Sequence, residues 1–269
     1  MHNVFQKIDK LTEQVGGVWG ITIKHIQTGE TWEKNSKIRF PAASVIKVPI
    51  MVALFAAWQK GQLQLCEQIV LRKEDQVGGS GVLQHMTPGT SLTIYDYITL
   101  MMIQSDNTAT NILIDVVGVA AIQQLMKEMG LNDSSFYNKL MTIPVEREGN
   151  NEITAADMMN MLDLIVNGKV ISYDACERML AIMKKQQITD CLPARLPVQS
   201  DAIIGERPHW EFAHKTGSIT NVLHDVGILY MESHTILLTV LSKDIDQRKS
   251  KRVMAEIGSM IYDAYTNRN

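Results

Sequence analysis

Val4, Phe5, Ile8, Leu11 and Val15 recur at helical spacing, so the chain opens on an amphipathic helix. After Gly16-Gly17 the period changes. Residues 18–25 alternate as a strand does, Gln27-Thr28-Gly29-Glu30 reads as a tight turn, and a short second strand is expected near 31–33. From about residue 44 to 185 the pattern is mostly helical. Helices are expected over 45–60, ended by Gly61, and over 94–104, 109–117, 120–129 and 155–166. Thr154 caps the last of these and places Asp157 at its positive end. Beyond Pro193 strands return at about 211–214, 225–231 and 235–242, and a final helix covers about 249–265.

Strands at both ends around a helical middle predict an α/β (α+β) chain with discontinuous domains. Residues 1–38 and 195–269 are expected to build an antiparallel sheet flanked by helices. Residues 39–194 form an inserted all-helical domain. A cleft between the two is the natural place for a site. The chain shows no internal repeat and no low-complexity linker.

Composition narrows the function classes. The 269 residues fit one large domain or two small ones at roughly 150 residues each. Hydrophobic residues make up 45% and charged residues 20%, which argues against long disordered stretches. The formal net charge of −3 argues against a nucleic-acid partner, because neutralising phosphates needs a clustered positive surface. The longest apolar run, residues 48–58, falls short of the roughly 18 residues of a membrane span. No continuous apolar stretch marks the N-terminus as a secretory signal. As written the chain reads as cytoplasmic; the alternative is an exported protein whose leader has been removed. Cys66, Cys176 and Cys191 are odd in number and lack paired spacing, so neither a disulfide framework nor a zinc site is expected. The 16 methionines lie largely on expected helices and read as adaptable core filling.

Three short motifs carry candidate chemistry. Ser44-Val45-Ile46-Lys47 opens the first long helix of the middle region. Ser105-Asp106-Asn107 lies between two helices, and Lys215-Thr216-Gly217-Ser218 ends an expected strand. A serine hydroxyl needs a base within hydrogen-bond reach to act as a nucleophile. Residues three apart share a helix face, so Lys47 lies beside Ser44. Burial and a second cation, for which Lys215 is the candidate, would favour a neutral Lys47. At a helix start, Ser44 also brings positive dipole and free N–H groups to a developing oxyanion. A Ser-x-x-Lys occurs by chance about once in such a chain, but a given tripeptide appears in only about one chain in thirty. All three in order make coincidence a poor explanation.

The trio is a known signature of class A β-lactamases and penicillin-binding proteins, and this sequence resembles the class A β-lactamase family. The spacing agrees: Ser105 lies 61 positions after Ser44, and Lys215 lies 110 after Ser105. The resemblance extends to residues 105–113 and 79–83. It implies a β-lactamase/transpeptidase-like fold and acyl transfer through an ester on Ser44, without cofactor or metal. Ser105 would relay a proton to the leaving nitrogen. Asn107 would meet a substrate side chain, or else close an Asx turn. Lys215, Thr216 and Ser218 would bind a substrate carboxylate, and the Ser218 N–H would join that of Ser44 in an oxyanion hole. The implied partner is a small molecule, a β-lactam or an acyl-D-alanyl-like compound.

The departures are specific. The family carries a glutamate that holds the water cleaving the acyl-enzyme, within a Leu-x-Arg-x-Glu-like loop. Here that stretch is Phe136-Tyr137-Asn138-Lys139-Leu140, with Leu140 at the glutamate position and Asn138 at the arginine position. Pro144 stands where an asparagine is expected. Glu146 and Glu148 are nearby and are either substitute bases or solvated loop carboxylates. The arginine often found about ten residues after the Lys-Thr-Gly lysine is replaced by Asp225. Slow β-lactam hydrolysis is therefore expected. The alternatives are a D-alanyl peptidase or esterase of the same fold, or a non-enzymatic penicillin-binding sensor. His209 and His214 show no metal-ligand spacing. Gly78-Gly79-Ser80-Gly81 lacks the lysine of a phosphate loop and reads as flexible. His224-Asp225 is either a catalytic pair or structural.

Overall fold

The computed structural model describes residues 2–140, 149–198 and 208–266. Helix α1 (His2–Val15) leads into β1 (Val18–His25) and β2 (Thr31–Lys34), and the short β3 (Phe40–Pro41) precedes a 3-10 turn at Ala43–Ile46. The chain then builds α2 (Lys47–Gln59), β4 (Gln68–Val70), β5 (Ser91–Thr93), α3 (Ile94–Ile103), α4 (Asn107–Val117) and α5 (Val119–Glu128). Next come β6 (Glu152–Ile153), α6 (Ala155–Val166) and α7 (Tyr173–Met183). A hairpin-connected run of β7 (Trp210–Ile219), β8 (Val222–Met231) and β9 (His234–Lys243) then ends in α8 (Gln247–Thr266).

The five long strands form one antiparallel sheet in the order β2-β1-β9-β8-β7. Both termini thus feed one sheet, as the distribution of strand patterns predicts. Covered on both faces, β8 and β9 are buried almost throughout. One face packs Ile21, Ile23, Leu229, Leu238 and Val240 against α1 and α8 through Phe5, Ile8, Met254 and Ile257. The other face contributes Ala213, Val226, Ile228 and Leu237 to a core shared with α2 to α7.

At the centre of that core, α2 is buried continuously from Lys47 to Ala57. A helix apolar all round belongs inside, and this one brings a lysine in with it. Methionines 101, 102, 158, 159 and 161 pack there as expected. Thr154 accepts from the Asp157 N–H at 3.1 Å, which is the cap its sequence predicts.

Several boundaries differ. The first long helix opens as a tight 3-10 turn over Ala43–Ile46 rather than as α-helix at Val45. Helix α7 lies where no helix was assigned, although Ala175, Cys176, Met179, Leu180 and Met183 form its buried stripe. Strand β7 runs through the Lys-Thr-Gly motif instead of ending before it, because its pairing with β8 continues to Ile219 opposite Val222. Among the described residues, no single helix is long and apolar enough to cross a membrane.

Candidate active site

The 3-10 turn carrying Ser44 is wedged between the start of α2 and the sheet edge β7. Gly217 permits that approach: a β-carbon there would lie 3.0 Å from the backbone nitrogens of both Ser44 and Val45. Ala43 enters the turn with φ +44°, and Ser105 takes φ +54° between α3 and α4. Non-glycine residues seldom adopt this region, and such strain gathers at functional sites.

Lys47, wholly buried, is the hub. Its Nζ lies 3.1 Å from Ser44 Oγ and 3.0 Å from Ser105 Oγ. It also donates to the Ser105 carbonyl at 2.6 Å and to Asn107 Oδ1 at 2.9 Å. Burial, reinforced by the charge of Lys215 and opposed by Asp106, holds its pKa well below the usual lysine value. A neutral amine has two N–H groups and one lone pair. With the two carbonyl oxygens taking the protons, the lone pair of a neutral amine would face both serine hydroxyls, Ser44 Oγ at 3.1 Å and Ser105 Oγ at 3.0 Å.

Lys215 is equally buried and donates to Ser105 Oγ at 3.1 Å and to the Thr216 carbonyl at 2.8 Å. Burial lowers it to about 7, with Asp225 acting in the opposite direction. Ser105 Oγ therefore bridges two lysines. Asn107 has both amide atoms engaged, its Nδ2 donating to the Gly78 carbonyl at 3.2 Å. It anchors Lys47 to the glycine-rich segment 78–81. Asp106, fully buried, caps α4 through Ala109 N–H at 2.9 Å and accepts from Leu83 N–H at 2.8 Å. A β-carbon on Gly81 would collide with it at 2.2 Å, so glycine at φ +105° is required there. The segment is thus tied at both Gly78 and Gly81. Thr216 and Ser218 lie on β7 beyond Lys215, Thr216 buried and Ser218 exposed.

The wall that the resemblance assigns to the deacylating glutamate, here Leu140, differs chemically. Leu140 is clasped by Asn111, which accepts its N–H and donates to its carbonyl, both at 2.8 Å. Its side chain packs against the core. Asn138 and Asn151 close the neck of the loop: Asn151 Oδ1 accepts from the Asn138 N–H at 3.0 Å, and its Nδ2 donates to the Asn138 carbonyl at 2.8 Å. Glu146 and Glu148, with Pro144, lie outside the described residues.

His224 and Asp225 do not form a pair. Consecutive strand residues face opposite ways. His224 is buried, donates through Nε2 to the Pro41 carbonyl at 2.8 Å, and accepts the Ser242 N–H at 3.3 Å. Burial depresses its pKa to about 4. It is a neutral brace behind the Ser44 turn. Asp225 instead bonds His214 Nδ1 at 2.8 Å. His209 is exposed. Among the described residues no group of three His, Cys, Asp or Glu side chains could hold a metal ion.

The sequence gives Asn111, Asp106 and His214 no role in the site, although all three lie in stretches it singles out. The helix-capping position of Asp106 was a usable signal. The partners of Asn111 and His214 are brought together only by the fold.

Residues 3–265 match the family model described as the Beta-lactamase enzyme family, and the chain belongs to that family. It is 25% identical to a β-lactamase of Rhodobacter capsulatus over 84% of this chain and 75% of that protein. A β-lactamase from Sphaerobacter thermophilus superposes with a TM-score of 0.89 at 32% identity, covering 99% of this chain and 98% of the other. PBP-A superposes with a TM-score of 0.86 at 28% identity, covering 98% and 96%. The protein is a hydrolase of β-lactamase type with the corresponding α+β fold.

Proposed function

We propose that this chain transfers the acyl group of a β-lactam or acyl-D-alanyl-like substrate to Ser44 and releases it slowly. Ser44 stands where the expected domains, 1–38 with 195–269 and 39–194, would meet. The observation that carries the reading is the buried Lys47 amine, 3.1 Å from Ser44 Oγ and with its charged form suppressed. Neutral Lys47 takes the hydroxyl proton as Ser44 Oγ bonds to the substrate carbonyl carbon. The backbone N–H groups of Ser44 and Ser218 receive the oxyanion. Lys47 returns a proton through Ser105 Oγ to the leaving nitrogen, and the C–N bond breaks. Lys215, with Thr216 and Ser218, takes the substrate carboxylate.

Hydrolysis of the ester needs an activated water. General-base catalysis is worth about two to four decades of rate, and the leucine at 140 supplies none. That same leucine supports a second reading, a protein that is acylated by penicillin and then stalls. Likeness to PBP-A, one structure of which is a leucine-to-glutamate variant in acyl-enzyme complex with penicillin G, supports both. Intact-protein mass spectrometry after benzylpenicillin, alongside nitrocefin turnover, tests the proposal. A persistent adduct on the native chain, absent from Ser44→Ala, is expected. No adduct and no turnover would remove the β-lactam reading.

A further inference from the structure

Ser105 and Lys215 reach the cleft on separate elements. Ser105 follows α3 and Lys215 lies in β7, yet Lys215 Nζ donates to Ser105 Oγ at 3.1 Å. On the α2 side, Ser105 is held by Lys47 through its carbonyl and hydroxyl. Its backbone is strained at φ +54°, a conformation that persists only where the surroundings hold it. On the β7 side the fastening is Gln186.

Gln186 lies in the irregular segment after α7 and is buried. An amide side chain offers two donor hydrogens and two acceptor lone pairs. Here all four are used. Oε1 accepts the N–H groups of Gln187 and Ile188, both at 3.1 Å. Those bonds fold the side chain back on its own segment and aim Nε2 away from it. Nε2 donates to the Met102 carbonyl at 2.9 Å and to the His214 carbonyl at 3.3 Å. Met102 lies in the last turn of α3, where carbonyls have no partner within the helix. His214 lies on β7, an edge strand of the sheet, whose outer carbonyls are likewise open. Met102 stands three residues before Ser105, and His214 immediately precedes Lys215. One nitrogen therefore spans the two backbones that deliver the serine and the lysine. Gln187 adds to the grip: its N–H donates to the Ile103 carbonyl at 3.2 Å, and its side chain accepts from Gln104 Nε2.

We propose that Gln186 is a positioning residue that sets the meeting of Ser105 with Lys215, and through it the return of a proton to the leaving nitrogen. This rests on the acyl-serine reading. In that reaction the C–N bond breaks as the Ser105 hydroxyl gives its proton to the nitrogen and takes one from the Lys47 ammonium. The amine leaves neutral, and Lys47 returns to the free base. Such a relay is sensitive to placement, since an error of about 1 Å can cost a hundredfold in rate. Attack by Ser44 depends less on the clamp. Ser44 and Lys47 are three residues apart at the start of α2, and Asn107, itself tied to Gly78, holds Lys47 from the other side. Loosening Gln186 therefore impairs departure of the nitrogen more than attack. Glutamate at 186 would set a carboxylate against two carbonyl oxygens, and methionine would leave both carbonyls and both N–H groups without these partners.

The test uses two variants and two acyl donors. Gln186→Met keeps the length of the side chain and removes its bonds. Gln186→Asn keeps an amide too short to span both carbonyls, and it carries the test if the methionine variant does not fold. Benzylpenicillin expels a nitrogen that needs a proton, whereas p-nitrophenyl acetate expels a stable anion that does not. Acylation of Ser44 by benzylpenicillin should fall about ten- to a hundredfold in either variant, and acylation by the ester should stay within about twofold. In a Ser105→Ala background, which has no relay to position, Gln186→Asn should cost nothing further. Equal losses with both donors, or the same loss added on top of Ser105→Ala, would mark a merely structural residue and overturn the proposal. An unchanged benzylpenicillin rate would overturn it too. Crystal structures of the native chain and Gln186→Asn read the placement without any reaction. The distance from Ser105 Oγ to Lys215 Nζ should open beyond hydrogen-bond reach, about 3.5 Å, and a contact kept at its native length would overturn the proposal. A native chain acylated by neither donor would instead sink the acyl-serine reading, and the two crystal structures would still decide whether Gln186 sets the contact.

Discussion

The two walls of the cleft are built to different standards of chemistry. On one, Ser44, Lys47, Ser105 and Lys215 form a continuous polar chain with contacts of 2.6–3.1 Å inside a buried core. On the other, the loop from Phe136 to Leu140 is held as firmly, but by backbone clasps from Asn111 and Asn151, and its Leu140 side chain packs against the core. The difference is not one of order. Both walls are well bonded, but the side chain at the expected glutamate position, Leu140, has no group that can move a proton. On the proposed function, the first wall would form the ester and the leucine at 140 would leave it without a base for hydrolysis.

The largest effect should come from the first wall. Lys47→Met removes the amine and fills its space, and acylation by benzylpenicillin should slow by about two to four decades. Single-turnover adduct formation measures this, and a loss below tenfold would break the comparison by removing Lys47 from the reaction.

Next is the brace behind that wall. His224 is buried with its pKa near 4, against about 6.5 in the unfolded chain. Its contribution is complete above about pH 6.5 and is lost as the pH falls toward 4, because in that window the unfolded chain binds a proton the folded chain refuses. About 2–3 kcal/mol should disappear between neutral pH and about pH 4.5. Denaturant unfolding at both values, with His224→Gln as the flatter reference, reads this directly. Equal pH slopes in the two proteins would show that His224 titrates normally.

The smallest effect is a gain on the second wall. Leu140→Glu supplies a carboxylate without the rest of the hydrolytic arrangement, so acyl-enzyme decay should quicken by about tenfold, short of the full value of a general base. Decay of the benzylpenicillin adduct, followed by mass, gives the number. An unchanged rate would place the hydrolytic defect elsewhere in the loop.

Much of this was legible in the sequence for a physical reason: it depends on neighbours along the chain. The Ser44–Lys47 pair follows from helical spacing, the Thr154 cap from local hydrogen bonding, and the two-ended sheet from where alternation occurs. Strand β7 outruns the expected 211–214, because Lys215 and Gly217 weaken a strand pattern locally. Pairing with β8 overrides that weakness, as tertiary context does for local propensity. Helix α7 carries a buried stripe and a Ser172 cap that accepts from Ala175 N–H, so its signal was present but unassigned. The clasp of Leu140 by Asn111 and the bond from His214 to Asp225 were not legible. They join residues whose proximity is created by the packing of α4 against the loop and by the register of β7 on β8. Asp225 in particular reads from sequence only as a missing arginine, and its partner could not be named before the register was known.

The most direct test of the asymmetry between the walls is to measure formation and decay of the Ser44 adduct in one experiment. Benzylpenicillin is added in excess and then removed, with the acylated fraction followed by intact mass. The account predicts rapid, near-complete acylation and an adduct that long outlives the time of its formation. Decay as fast as formation, with free enzyme dominating throughout, would contradict it and place an effective hydrolytic base in the cleft.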